Sequence, residues 1–224
     1  MAIVVAVDGP AASGKGTLCR RVAQELQFAY LDTGSLYRAT ALRLLREYDE
    51  ATAAHDDHML VSAAAAANAL TPEDLADPDL RTEKVGQFAS IISTDPAVRR
   101  ALLDFQRAFC ASPPAGARGV VLDGRDIGTV ICPAAPVKFF LTADLATRAR
   151  RRHSELAAAG VAADLQQVEH DMQQRDHRDA TRAGAPMQAA ADALVIDTSG
   201  LTVEETMTAA MAQIRLKMPG LFHA

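Results

Sequence analysis

The feature of this sequence that most directly implies chemistry is a glycine-rich stretch, Gly9-Pro10-Ala11-Ala12-Ser13-Gly14-Lys15-Gly16-Thr17. An apolar run precedes it at 3–7, and apolar residues recur at helical spacing after it at 18–26. A glycine-rich loop between a strand and a helix can hold a polyphosphate, because its N–H groups turn inward and the helix N-terminus carries partial positive charge. Lys15 would add a mobile positive charge for the β- and γ-phosphates. Gly16 breaks the strict pattern G-x-x-x-x-G-K-S/T at its last position. The alternative to a phosphate-binding loop is a structural turn with a surface lysine.

A second candidate site follows an apolar run at 119–122, where the sequence continues Asp123-Gly124-Arg125-Asp126. Phosphate-loop proteins hold magnesium, directly or through water, with an acidic residue at the end of such a strand. We therefore expect Asp123 near a metal site and Arg125 and Asp126 at the ligand-binding edge of the sheet. The alternative is a structural aspartate–arginine pair that closes a turn, in which Asp126 only braces Arg125.

A third candidate site is a group of arginines. Arg175, Arg178 and Arg182 follow the spacing i, i+3, i+7, which places them on one face of a helix. Like charges on one face repel each other unless something anionic covers them. Asp171 and Asp179 lie one turn from Arg175 and could do so, and spacing alone favours such a salt-bridged surface helix.

Composition excludes some classes of function. The chain has 224 residues and a net charge of −5, so a general nucleic-acid or membrane-surface role has no electrostatic support. The N-terminus has no basic segment and only a short apolar run, and no stretch approaches the length of a membrane span. We therefore expect no signal peptide, no membrane association and a cytoplasmic location.

The cysteines and histidines predict no metal site. Cys19, Cys110 and Cys132 are odd in number and widely spaced, which fits neither a disulfide framework nor a zinc site, and we expect Cys19 to be a packed thiol. His55 and His58 lie one turn apart but lack a third ligand, so we interpret them as solvent-exposed.

Alternating strands and helices predict an α/β fold. Five apolar runs are the predicted strands, at 3–8, 28–31, 119–122, 137–141 and 194–197. Because helices connect them, the sheet should be parallel with helices on both faces. The first predicted helix ends at 27 and the second begins at 35. Further helices are predicted at 49–70, 81–93, 97–111, 144–159, 166–182 and 203–216, and a polar loop is predicted at 72–79. Thr33 or Ser35 could cap the second helix, and Arg38 lies one turn into it, either at the ligand edge or solvated.

Four motifs, taken in chain order, resemble those of bacterial cytidylate kinases. They are Asp8-Gly9-Pro10-Ala11-Ala12-Ser13-Gly14-Lys15-Gly16-Thr17, Leu31-Asp32-Thr33-Gly34-Ser35-Leu36-Tyr37-Arg38, Asp123-Gly124-Arg125-Asp126-Ile127-Gly128-Thr129 and Arg175-Asp176-His177-Arg178-Asp179-Ala180-Thr181-Arg182. Residues 193–198 and 201–205 are similar to the family's closing strand and helix. The resemblance covers nearly the whole chain.

The resemblance implies a nucleoside monophosphate kinase fold with three layers. Its core, with a parallel five-stranded sheet, would comprise 1–42, 112–147 and 190–224, with a nucleotide-binding insertion at 43–111 and lid helices at 148–189. The family often has β-strands in the insertion, whereas 71–80 here is a short polar segment, so we expect a trimmed insertion. The lid also departs from the family at Ala180 and Thr181, where a long polar residue and Asn are usual.

The resemblance also implies in-line transfer of the γ-phosphoryl group from ATP to CMP or dCMP, with Mg²⁺ as cofactor. The sequence leaves the oligomeric state open, and we expect a monomer. The implied ATP site is Gly9, Pro10, Ala11, Ala12, Ser13, Gly14, Lys15, Gly16 and Thr17. The implied CMP site is Thr33, Tyr37, Arg38, Ser90, Arg99, Arg125, Asp126, Arg175, Asp179 and Arg182. Among these, Ser90, Arg99 and Asp126 would read cytosine, and Asp179 would bind ribose. The implied catalytic residues are Lys15, Arg125, Arg178 and Arg182, and Thr17 and Asp123 would hold Mg²⁺ through water.

Two rival classes fit the sequence less well. A GTP-binding switch protein would need an Asn-Lys-x-Asp motif, which does not occur. A non-catalytic nucleotide-binding regulator would not need several arginine clusters around one phosphate loop. Within kinases, UMP, AMP or shikimate as the acceptor remains open, as does the preference between CMP and dCMP.

Overall fold

A five-stranded parallel sheet forms the centre of the computed structural model, which describes residues 2–47 and 57–222. Its strands are β1 (Ile3–Asp8), β2 (Ala29–Asp32), β3 (Gly119–Gly124), β4 (Val137–Thr142) and β5 (Leu194–Asp197). They lie in the order β2-β3-β1-β4-β5, and every pair is parallel. The predicted α/β fold class is confirmed.

Helices cover both faces of this sheet because the strands are apolar on both sides. Side chains such as Val5 and Val7 pack on one face against α1 (Lys15–Leu26) and α9 (Val203–Lys217). Val4 and Ala6 point to the other face, where Cys110 of α6 (Pro96–Ala111) packs. The chain therefore has the three layers expected from the sequence.

A second hydrophobic core is formed by the helical segment that connects β2 to β3 in the chain. It is built by α2 (Thr33–Glu47), α3 (Asp57–Asn68), α5 (Glu83–Ile92) and α6. Leu36, Leu44, Phe88, Ile92 and Leu102 are among its most buried side chains. This core keeps α5 and α6, which carry Ser90 and Arg99, in a fixed position beside the sheet.

The predicted polar loop at 72–79 is wrong in part, because the segment contains two short helical turns. These are α4 (Pro72–Leu75) and a 3₁₀ turn, Pro78–Arg81. Thr71 caps α4 in a capping box with Asp74, and proline begins each turn. Capping and proline stabilise a turn that is too short to show apolar periodicity.

The helix predicted at 49–70 is described only as α3, since 48–56 lie outside the described residues. The interpretation of His55 lies there too, and of His58 only the backbone, within α3, is described. The predicted caps of α2 are wrong. Thr33 Oγ1 donates to the carbonyl of Asp123 at 2.7 Å, and Ser35 Oγ donates to the carbonyl of Asp32 at 2.6 Å. Both hydroxyls thus connect α2 to strand ends.

Two further helices, α7 (Leu145–Ala158) and α8 (Leu165–Thr181), pack against each other through a small apolar cluster, Ala149, Leu156, Val168 and Met172. Short turns complete the chain: a 3₁₀ turn at Pro114–Gly116, a π-helical turn at Ile127–Ile131 and a 3₁₀ turn at Pro219–Leu221. In the described ranges, no helix combines the length and apolarity needed to cross a membrane. The division into core, insertion and lid remains a prediction.

Candidate active site

A cavity of about 590 Å³ opens at the carboxyl ends of the strands. Parallel pairing brings the terminal aspartates of three strands to this edge, with Asp32 opposite Asp123 and Asp8 opposite Gly124. Most of the residues expected in a nucleotide site line the cavity: Ala11, Ala12, Gly14, Lys15, Gly16, Thr17, Thr33, Tyr37, Arg38, Ser90, Arg99, Asp123, Arg125, Asp126, Arg175, Asp179 and Arg182. Gly9, Pro10, Ser13 and Arg178 do not line it directly.

Two glycines give the phosphate loop its shape. Gly9 has φ 141°, and a Cβ there would lie 1.9 Å from the carbonyl oxygen of Leu141, so only glycine fits against β4. Gly14 has φ 89° and forms the N-cap of α1 without a side-chain hydrogen bond. The N-terminal N–H groups of α1 are therefore not capped by a side chain, as an anion site requires.

Lys15 is held inside the loop, so the surface lysine of the structural alternative is wrong. Its side chain is 5% exposed, and its Nζ donates to the carbonyl of Pro10 at 2.8 Å. Asp123 Oδ1 lies 3.9 Å from the same Nζ. Burial, together with the nearby charge of Arg125, lowers the pKa of Lys15 to about 8, although the charge of Asp123 opposes both effects.

Asp8 fixes the phosphate loop to the segment after β3. It accepts hydrogen bonds from the N–H groups of Ile127 at 2.7 Å and Gly128 at 2.8 Å. Burial raises its pKa to about 6, although both hydrogen bonds favour the charged form. Sequence reasoning did not assign a role to Asp8. The signal that could have identified it is its position at the end of an apolar strand, immediately before Gly9.

A second support for the loop comes from α7 and β5. Arg151 donates to the hydroxyl of Thr198 at 3.0 Å and to its carbonyl at 2.6 Å, and it reaches the carbonyl of Ala12 at 3.5 Å. The Thr198 hydroxyl in turn donates to the carbonyl of Ser13 at 3.0 Å. These contacts join residues far apart in the chain, and no local pattern could have predicted them.

Asp126 pairs with two arginines and not with Arg125. One of its oxygens accepts a short hydrogen bond from Arg99, and the other accepts from Arg182 Nη2 at 3.1 Å. Arg99 also donates to the Tyr37 hydroxyl at 3.3 Å. Since Arg125 Nε donates instead to Asp179 Oδ2 at 3.0 Å, the alternative in which Asp126 braces Arg125 is wrong.

Two arginines that line the cavity, Arg38 and Arg175, form no ion pair with another described residue. Arg38 donates to the carbonyl of Leu80 at 2.9 Å, so it is not a solvated surface arginine. Burial lowers its pKa to about 9, and the neighbouring Arg175 contributes to that effect. Burial and then Arg125 lower the pKa of Arg175 to about 10. Partly desolvated arginines without carboxylate partners favour the binding of an anion.

The salt-bridged surface helix proposed for α8 is not what the structure shows. Within the described part of the chain Arg175 forms no ion pair, and its Nε is buried without a hydrogen-bond partner. Asp179 is engaged by Arg125, and Asp171 accepts from Gln167 at 2.8 Å.

Arg178 points away from the cavity centre toward α5. It donates to Ser90 Oγ at 3.2 Å and to Gln87 Oε1 at 3.1 Å. A second contact of the same kind joins Arg152 of α7 to Glu83 of α5 at 2.7 Å. The paired helices α7 and α8 therefore contact α5 through these two arginines, and their apolar cluster also packs against Ala11 and Ala12 of the phosphate loop.

Comparisons with known proteins match nearly the whole chain to one protein family. The cytidylate kinase family model matches residues 5–216. The cytidylate kinase of Rhodospirillum rubrum is 52% identical over 209 residues, which are 93% of this chain and 95% of that protein. The cytidylate kinase of Paramagnetospirillum magneticum is 50% identical over 217 residues, covering 97% of this chain and all of that protein.

One solved structure supports the fold alone. An uncharacterized protein from Eubacterium ventriosum superposes with a TM-score of 0.52 at 14% identity, covering 96% of this chain and 99% of the other. The fold is therefore shared with a solved structure, and the family is shown by the family model and by the sequence relatives. The chain belongs to the cytidylate kinase family.

Proposed function

We propose that this chain transfers the γ-phosphoryl group of ATP to CMP or dCMP, giving ADP and CDP or dCDP. The observation that carries the proposal is the convergence of Lys15, Arg38, Arg125 and Arg175 on one cavity that begins at a phosphate loop. Two polyanions can meet there, one on the loop and one among the arginines. Family membership supports the same reaction.

The donor would occupy the phosphate loop. The uncapped N-terminus of α1 and Lys15 would hold the β- and γ-phosphates. Thr17 and Asp123 both line the cavity, and the missing side chain of Gly16 leaves room beside Asp123 Oδ2. In the described ranges no cluster of three carboxylate, cysteine or histidine ligands exists, so Mg²⁺ would be held mainly by phosphates and water. Mg²⁺ supplies charge neutralisation between the phosphates.

The acceptor phosphate would lie against Arg38, Arg125 and Arg175. A phosphate oxygen of CMP is already anionic, so the attack needs no general base. Catalysis is then positioning of the two phosphates in line, with Lys15 and the arginines neutralising the charge that is shared in the transition state. Arg125 donates from Nε to Asp179 and from Nη1 to the carbonyl of Gly124, so Nη2 would be the nitrogen that reaches the substrate phosphate.

The base would lie between α5 and α6. Ser90, Arg99 and Asp126 line that part of the cavity together with Tyr37 and Thr33. Asp126 would accept from the exocyclic amine of cytosine, and Asp179 would accept from ribose. Since Arg99 and Arg182 both occupy Asp126 here, CMP would replace or rearrange one of these contacts on binding.

The helices α7 and α8 would act as the lid. Arg178 and Arg182 join this pair to the insertion and to Asp126, so their movement would be linked to occupation of the base site. Closure would bring Arg175 and Arg182 to the transferring group and exclude water, which would otherwise accept the phosphoryl group. We propose a monomer in the cytoplasm as the working form.

An acceptor panel tests the proposed function. Purified protein with Mg²⁺ and ATP is supplied in turn with CMP, dCMP, UMP, AMP and shikimate, and ADP formation is followed by a coupled assay. CMP and dCMP should give the highest kcat/KM. A higher kcat/KM with AMP or shikimate would reject the assigned acceptor, and ADP formation that no acceptor stimulates would reject the kinase assignment itself.

A further inference from the structure

A pair of thiols lies outside the proposed active site. Cys110 lies in the last turn of α6, and Cys132 follows the π-helical turn Ile127–Ile131. Their Sγ atoms are 2.8 Å apart, and both cysteines are in the free thiol form. The residues between them include the whole of β3, so the contact is made by the tertiary fold and not by chain proximity.

Contacts that do not involve sulfur hold both backbones in place. The N–H of Cys132 donates to the carbonyl of Ile127 at 2.7 Å, and its own carbonyl accepts from the N–H of Ala135 at 3.0 Å. Arg107, one turn before Cys110 on α6, donates to the carbonyl of Val130 at 3.3 Å. The two thiols therefore stay together in the folded protein whatever the state of their side chains.

The two thiols differ in reactivity. Cys132 is half-buried beside the exposed residue Pro133, whereas Cys110 is 9% exposed. The hydrogen bond from Cys110 lowers the pKa of the Cys132 thiol against the effect of burial, and the charge of Arg107 lowers it further. The same hydrogen bond, together with burial, raises the pKa of Cys110. Cys132 is thus the accessible nucleophile and Cys110 the thiol behind it.

We propose that Cys110 and Cys132 are a redox-modification site, which a low-molecular-weight disulfide converts to an intramolecular disulfide. Cys132 loses its proton to solvent, and its thiolate attacks one sulfur of the small disulfide, forming a mixed disulfide and releasing one small thiolate. Cys110 then attacks Cys132 Sγ, and its proton goes to the second small thiolate that leaves. The two protein thiols are oxidised by two electrons, and the small disulfide is reduced to two thiols.

The new bond would connect two elements that carry the base site. Arg99 lies in the first turn of α6, and Asp126 and Cys132 immediately flank the turn Ile127–Ile131. Closing a loop of this length restricts the unfolded chain, so the oxidised protein should melt several degrees higher, by roughly 5 °C or more.

Glutathione disulfide is the probe. Native full-length protein is incubated with it, remaining thiols are alkylated, and the protein is digested with trypsin. We expect peptide 108–118 linked to peptide 126–138, and a fall in titratable thiols from three to one in denaturant. A stable glutathione adduct on Cys132 without the linked peptide, a disulfide between two chains, or unchanged thiols would each overturn the proposal.

Matched variants separate this pair from the third cysteine. Cys19 packs fully buried under the opposite face of the sheet, so Cys19→Ala should still lose both remaining thiols and still gain thermal stability on oxidation. Cys110→Ala and Cys132→Ala should show no linked peptide and no upward shift in melting temperature. A shift that persists in Cys110→Ala, or a linked peptide that contains Cys19, would contradict the assignment.

Discussion

Arg182 Nη2 lies 3.1 Å from Asp126 Oδ1, and this ion pair connects the end of α8 to the loop that follows β3. The second oxygen of Asp126 is taken by Arg99, so one carboxylate joins α8, α6 and the loop that follows β3. In the proposed complex this carboxylate accepts from the amine of cytosine. The arrangement would therefore link recognition of the base to the position of α8.

Replacing Asp126 by Ala should reduce the preference for CMP over UMP. Cytosine offers an amine where uracil offers a carbonyl, and an unpaired buried carboxylate costs a few kcal/mol, so the wild-type preference should be about 10²-fold or more. In Asp126→Ala, kcat/KM should fall steeply for CMP and far less for UMP. The measurement is kcat/KM for CMP, dCMP and UMP, with Asp104→Ala on the exposed side of α6 as a control. An unchanged CMP-to-UMP ratio would mean that the base is read elsewhere.

Lys15 should impose an alkaline limit on ATP use. The folded-state pKa of about 8 is below the ordinary lysine value of 10.5, so the ammonium is lost as pH rises through about 8. The kcat/KM for ATP should therefore fall above that pH, whereas kcat should hold to higher pH because bound phosphates favour the charged form.

Two variants check this assignment. Lys15→Ala should lower kcat by about 10²–10³-fold with the fold intact, by analogy with loss of one preorganised donor. Lys15→Arg keeps its charge and should lose the inflection near pH 8, whatever its absolute rate. Near-normal turnover in a folded Lys15→Ala protein would reject the phosphate-loop assignment.

Gly86 should be a positioning residue for Arg38. A Cβ on Gly86 would lie 2.9 Å from Arg38 Nη1 and 3.2 Å from its Cζ, so Gly86→Ala must displace the guanidinium. If Arg38 holds the acceptor phosphate, KM for CMP should rise by about tenfold with KM for ATP little changed. Gly220→Ala is the control, because no atom lies within 4 Å of a Cβ there. Equal effects on both substrates, or none, would argue against this role for Arg38.

Asp8 should make the free energy of unfolding depend on pH. Its pKa is raised from 3.8 to about 6 in the folded chain, so its contribution is complete below pH 3.8 and is lost as pH rises through about 6. The loss is on the order of 3 kcal/mol. Urea unfolding at pH 4.5, 5.5 and 6.5 should show that decline in the wild type and not in Asp8→Asn. Parallel pH profiles for the two proteins would contradict the account.

Sequence reasoning could predict the features that depend on local pattern. Strand–helix alternation led to the parallel sheet, and the spacing around Lys15 led to the phosphate loop. The contacts that fix the site depend on long-range pairing, such as Asp8 with Gly128, Arg151 with Thr198 and Arg125 with Asp179. Which aspartate pairs with which arginine is decided by where the strands end, and no spacing rule contains that information.

The central claim is that both nucleotides meet in one cavity, with their phosphates between the loop and the arginines. A bisubstrate nucleotide that joins adenosine and cytidine through five phosphates tests it most directly. Inhibition should be competitive against ATP and against CMP, and the compound should bind more tightly than either substrate, with binding lost in Lys15→Ala and weakened in Arg38→Ala. Competition against ATP alone would contradict the claim, because it would place the acceptor outside this cavity.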